Sequence, residues 1–76
     1  MRRIPRRSLH HDPAAVIWAR KAKRWKQREL AEAVGIRVSL MSEIETGSRN
    51  AGPDLLYHIA EALNCPVSML ERKGSS

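Results

Sequence analysis

Residues 27–46 read QRELAEAVGIRVSLMSEIET, and the spacing of their apolar, small and glycine positions decides the fold. Leu30 and Val34 recur at helical spacing in the first half, Met41 and Ile44 in the second, with Gly35 and Ile36 between them. Each half therefore carries one apolar stripe, and the segment predicts two short helices crossing through a tight turn. Ala31 stands one turn before Gly35, where a small side chain lets a crossing helix approach closely. Gly35 can take the left-handed conformation that ends a helix.

The flanking sequence is helical too. Asp12-Pro13 supplies a start, since aspartate can cap free N–H groups and proline is tolerated in a first turn. A helix over about 13–24 follows, with Val16, Ala19, Ala22 and Lys23 near one face and Trp25 completing the stripe just beyond its end. Ile17 and Trp18 fall partly off that stripe, open to packing under the preceding segment, to facing a partner subunit, or to exposure. Gly52-Pro53-Asp54 opens a further helix with Leu56, Ile59, Ala60 and Leu63 inward, and Asn64 is suited to end it. Pro66 starts a last short helix containing Val67 and Leu70. The expectation is an all-α bundle of about five short helices over residues 13–73, with a frayed tail at 74–76. Before it, residues 1–12 read as a flexible basic N-terminal arm, because MRRIPRRSLHH has little apolar periodicity and a central Pro5.

At 76 residues there is room for one small domain, and a large buried active site is not expected. A hydrophobic content of 42% without phenylalanine implies an aliphatic, alanine-rich core. The single Cys65 cannot form an internal disulfide and reads as a partly buried structural thiol. His10-His11-Asp12 lacks a spaced third ligand, so no metal is expected, and His58 reads as an exposed polar residue. There is no Gly-rich phosphate loop and no nucleophile with a base and orienter at recognisable spacing, so neither enzyme activity, a cofactor nor a small-molecule ligand is expected. No stretch has the length of a membrane span, and the basic N-terminus lacks the apolar run of a signal peptide; the expected location is the cytoplasm.

Charge is uneven. Residues 1–28 hold ten Lys or Arg against Asp12 alone, a balance of +9, whereas residues 29–76 hold four bases and seven acids, a balance of −3. A polyanion would meet the N-terminal third and avoid much of the C-terminal half. A solvated basic face is the bland alternative; beside the two crossing helices, nucleic acid is the favoured partner.

The 27–46 pattern, continued through Ile44-Glu45, Gly47, Arg49-Asn50 and Leu56–Leu63, resembles the helix-turn-helix of the lambda-repressor and Cro type over roughly residues 14–72. The resemblance implies a small operator-binding transcriptional regulator, Cro-like or repressor-like, acting on double-stranded DNA with its third helix in the major groove. It implies a DNA-phosphate contact for Gln27 at the start of the second helix, where free N–H groups and the helix dipole add to the amide. The loop Ser48-Arg49-Asn50 would lie along the DNA backbone, with Lys26 and Arg28 as further backbone candidates. Arg20 in the first helix would pair with Glu45, tying that helix to the third. Glu29 and Glu32 should face solvent. Arg2, Arg3, Arg6 and Arg7 would add backbone or minor-groove contacts.

On the third helix, Val38, Ser39, Ser42 and Glu43, with Arg37 at its entrance, lie opposite Met41 and Ile44, and family members read base edges from the matching positions. Arg37 can pair with guanine O6 and N7 or bind a phosphate, Val38 can touch only a thymine methyl, and the serines discriminate weakly. Glu43 must accept from cytosine N4 or adenine N6, or pair with a neighbouring cation such as Arg37; otherwise it is a solvent-facing acid. Three positions depart from the family: Lys26 and Arg37 stand where Ser, Thr or Asp usually cap helices, and Val38 stands where some relatives carry a glutamine. The base code is therefore this chain's own.

Small relatives usually bind near-palindromes as dimers. Leu70, Met69, Val67, Tyr57 or Trp18 could supply a modest interface, so a weak homodimer and a monomer that pairs only on DNA both stay open. Met1 and the polar end suit a complete small protein, a piece of a longer repressor being the alternative. Two other classes remain: an antitoxin-like module that sequesters a partner protein, and nonspecific binding of nucleic acid or acidic membrane through the arm.

Overall fold

Proline leads the first helix because the N–H it lacks would be unsatisfied there anyway. In the structure, a computed structural model describing residues 9–72, α1 runs Pro13–Ala22 and Asp12 caps it, accepting the Ala14 amide at 3.1 Å. It ends two residues short of expectation. The Arg24 and Trp25 amides fold back to the carbonyls of Lys21 and Arg20, and Arg24 takes a left-handed φ of 62°. That turn brings the Trp25 ring against the core, where Lys23 Nζ sits 4.7 Å from its centroid; Ala22 and Lys23 themselves are exposed, contrary to the sequence reading.

Helix α2 (Gln27–Val34) and helix α3 (Val38–Thr46) form the crossing pair, and the turn between them uses Gly35 at φ 90°. Both Gly35 and Ile36 amides donate to the Ala31 carbonyl, at 2.9 and 3.0 Å. Lys26 cannot accept a hydrogen bond, so the α2 start is capped from the other side: the Glu29 carboxylate accepts the Lys26 amide at 2.6 Å. Glu29 faces solvent as expected and has this further task.

Helix α4 (Pro53–Leu63) buries Leu56, Ile59, Ala60 and Leu63 and ends at Asn64 in the left-handed conformation, φ 57°. The last expected helix is a single 3-10 turn, Val67–Met69, so among the described residues there are four α-helices and this turn. Helix α2 packs on α3 and α4, α1 packs on α3, and the 3-10 turn packs on α4. Val16, Leu30, Met41, Ile44, Leu56, Ile59 and Leu70 are fully buried at the centre. Each such aliphatic side chain contributes about 1.5–3 kcal/mol on leaving water. Leu70 is therefore core, and is no interface residue.

The largest correction concerns the end of the arm. Residues 1–8, with Arg2, Arg3, Arg6 and Arg7, lie outside the described residues, but Leu9 to Asp12 belong to the folded unit. Leu9 is buried and contacts the Gly47 region, and His11 is fully buried. Asp12 N–H donates to the Leu70 carbonyl at 2.8 Å and Arg72 N–H to the His10 carbonyl at 3.1 Å, an antiparallel bridge between the two ends of the domain. The His11 ring satisfies two backbone groups: Nε2–H donates to the Ile44 carbonyl at 2.8 Å and Nδ1 accepts the Ala51 amide at 3.2 Å. Only the neutral ring can do both. One imidazole thus pairs the buried Ala51 amide and gives a second donor to the Ile44 carbonyl, which also accepts the Gly47 amide at 3.3 Å.

Burial pushes the His11 pKa below its ordinary 6.5, against the raising effects of the Ile44 carbonyl and of Asp12. Below 6.5 the unfolded chain takes up a proton that the native ring resists, so stability is full above 6.5 and declines as pH falls through the lower native value. The decline attributable to this ring is at most about 1.4 kcal/mol per pH unit. Urea unfolding at about pH 7.5 and about pH 5, in wild type and in His11→Gln, should show the steeper loss in wild type. Equal pH dependence in both would remove His11 from the account.

Candidate nucleic-acid interface

Three elements meet at Glu45. From α1, Arg20 donates Nε to Glu45 Oε2 at 2.8 Å and Nη2 to Oε1 at 3.1 Å, and its Nη1 reaches the Trp25 carbonyl at 2.8 Å. From the first turn of α2, Gln27 donates Nε2 to Glu45 Oε1 at 3.0 Å. The side chains of Arg20 and Glu45 are only 12% and 3% exposed. A two-point guanidinium–carboxylate pair has a fixed plane, so it sets the rotation of α3 against α1 and α2. Gln27, expected at a phosphate, spends one amide hydrogen on this cluster and keeps the other.

With Met41 and Ile44 held in the core, the opposite side of α3 is presented outward. Arg37, Val38, Ser39 and Glu43 are exposed and Ser42 is half-buried. Arg37 stands at the α3 start without a side-chain cap bond, so its guanidinium is left to other partners. Glu43 is paired with Arg49 from the following loop, Nε to Oε1 at 2.7 Å, and not with Arg37. Arg37, Ser39, Glu43 and Arg49 line one shallow depression together with Leu40.

Arg49 reaches Glu43 because the loop is folded back on α3. Gly47 ends the helix at φ 84°, and the Ser48 and Arg49 amides donate to the Glu43 carbonyl at 3.0 and 3.3 Å. The positive φ favours glycine here, and a Cβ on Gly47 would make a tight 3.3 Å contact with Pro13 Cγ. Asn50 accepts the His10 amide at 2.6 Å, which ties the loop to the anchored end of the arm. Lys26 and Arg28 are exposed beside the α2 start, on the same helix end as Gln27. Sequence reasoning missed Leu9, His11 and the Asn50 contact. Their signal was thin: an apolar residue and a histidine two positions apart at the edge of an arginine-rich stretch.

This arrangement, two crossed helices with a glycine turn and an outward polar face on the second, is matched by known proteins. The helix-turn-helix family model matches residues 16–70. The chain belongs to the helix-turn-helix family. Within the Cro and repressor type, a similar curated relative is the competence pilus inhibition repressor of Acinetobacter baylyi, 36% identical over 56 residues. That alignment takes in 74% of this chain and 51% of the relative, so the chain spans about half the relative's length. Among solved structures, the clp gene regulator ClgR of Corynebacterium glutamicum superposes with a TM-score of 0.71 at 34% identity, over 74% of this chain and 60% of that one. The restriction-modification controller protein C.AhdI of Aeromonas hydrophila gives a TM-score of 0.73 at 26% identity, over 75% and 83%. The family match starts at Val16 in α1 and ends at Leu70, so Leu9 to Asp12 and their bridge to the C-terminal segment lie at its margin. No helix among the described residues is long and apolar enough to cross a membrane.

Proposed function

We propose that this protein is a transcriptional regulator that binds a double-stranded DNA operator, with α3 in the major groove. The observation that carries the reading is the outward face of α3, whose Arg37, Val38, Ser39, Ser42 and Glu43 oppose the buried Met41 and Ile44 on a helix rotationally fixed by Arg20 and Glu45. Its relatives are named as regulators, one of them a repressor. The backbone grip falls to Gln27 with the free amides at the α2 start, to Lys26, Arg28 and Arg49, and to the Asn50 loop. The arm arginines Arg2, Arg3, Arg6 and Arg7 add positive charge from the adjoining segment.

Glu43 is the reader with the sharpest chemistry. Its Oε1 is held by Arg49, which offsets the repulsion from phosphate, while Oε2 can accept from a base amine, cytosine N4 being the expected partner. Selection of bound sites from random duplex DNA at near-physiological salt tests the whole proposal. Wild type should enrich a defined motif, and Glu43→Gln should shift preference at one position by about tenfold or more, since a good base contact is worth roughly 1–3 kcal/mol. No enrichment over random sequence would sink the operator reading. A motif unchanged by both Glu43→Gln and Ser39→Ala would move the readout away from this face of α3.

A further inference from the structure

Helix α1 carries a second stripe that neither the core nor the DNA-facing side uses. Ala14, Ile17, Trp18, Lys21 and Ala22 follow one another at helical spacing along its outer side and line a shallow groove. Trp18 is 67% exposed, the largest apolar side chain so placed among the described residues. The charge on this stripe is positive: Lys21 is exposed within it, and Pro13–Ala22 contains no acid. A surface that covers it must bring an apolar body and carboxylates together.

The chain itself owns such a surface. The outer side of α4 presents Asp54, Tyr57, His58 and Glu61, all exposed, with Tyr57 at 53%, and Pro53–Leu63 contains no Lys or Arg. We propose that the Trp18 face of α1 docks on the Tyr57 face of α4 in a second copy of this chain. Like-to-like contacts are disfavoured by charge: α1 against α1 sets Lys21 against its own copy, and α4 against α4 does the same for Asp54 and Glu61. Only the mixed contact is complementary on both counts, with Trp18 over Tyr57 and Lys21 beside Glu61 when the helices run parallel.

Because each copy offers one face and receives with the other, the association is head to tail and does not close at two. It is also weak. One helix face covers only a few side chains, well below the about 800 Å² per partner of a stable complex. Such a contact acts where copies are already neighbours, as on adjacent sites of one duplex, a consequence that rests on the function proposed above.

Sedimentation equilibrium of the full chain without DNA, up to about 1 mM, tests the contact apart from any operator. Wild type should show open-ended association that weakens as salt is raised. Lys21→Glu and Glu61→Lys should each weaken it by about threefold to tenfold, and the double exchange should restore it. Trp18→Ser, which changes no charge, should abolish it, with helical circular dichroism retained in every variant. A wild type that stays monomeric throughout overturns the proposal and leaves the face to a different acidic protein. A closed dimer insensitive to Lys21→Glu overturns it equally, by locating self-association elsewhere.

Discussion

Glu45→Ala should lower the unfolding free energy by about 3–5 kcal/mol, measured as a fall in the urea midpoint at constant slope. The alanine leaves the Arg20 guanidinium, 12% exposed, with the Trp25 carbonyl as its remaining partner, and it strips Gln27 of its acceptor. Taking one member from a buried pair costs more than the pair itself contributes, because the survivor stays desolvated and unpaired. A chain of 76 residues has a total stability of only about 4–11 kcal/mol, so the variant stands close to the unfolding threshold. Glu43→Ala is the matched control. Its partner Arg49 is 57% exposed and Glu43 itself 47%, so water takes over both roles and the expected loss is under about 1 kcal/mol. Similar losses in the two variants would mean that the Arg20–Glu45 pair does not fix α3 in place.

Affinity for operator DNA should fall about a thousandfold as salt rises from about 50 to about 200 mM, the behaviour of a protein that neutralises roughly five to seven phosphates. Ten of the fourteen Lys and Arg lie in residues 1–28, so most of this dependence should come from one end of the chain. Removing residues 1–8, with Arg2, Arg3, Arg6 and Arg7, should reduce the slope of log affinity against log salt by up to about 3.6. Under the function proposed above the preferred base sequence should barely change, since these arginines would meet backbone or the degenerate minor groove while α3 would read the major groove. Titrations of labelled duplex at four salt concentrations provide the slope. A slope that does not change on truncation would take the arm out of the interface, and one near zero for the intact chain would contradict a phosphate grip altogether.

The helices themselves were legible because their signals are local. Residue spacing placed α3 at Val38–Thr46 with Met41 and Ile44 inward, and placed the inward stripe of α4 and its stop at Asn64. Gly35 and Gly47 marked turns that only a left-handed residue closes cheaply. Fold class and family follow from these patterns, since periodicity and backbone preference are properties of a few consecutive residues.

What the tertiary structure alone decided are the contacts made across long stretches of chain. Nothing local in SLHHDP indicates that His11 will hold the Ile44 carbonyl and the Ala51 amide, residues 33 and 40 positions away. The same is true of Asn50 accepting from His10 and of Leu70 becoming core. Arginine-rich composition argues for a flexible segment, yet the burial of Leu9 and His11, the two hydrogen bonds of the His11 ring and the backbone bridge to Leu70 and Arg72 together hold residues 9–12 on the fold. Arg49 likewise carries the same positive charge in the sequence whether it grips phosphate or Glu43. Its place beside Glu43 Oε1 is set by the loop folding back on the end of α3, and by nothing in the spacing of residues 43 and 49.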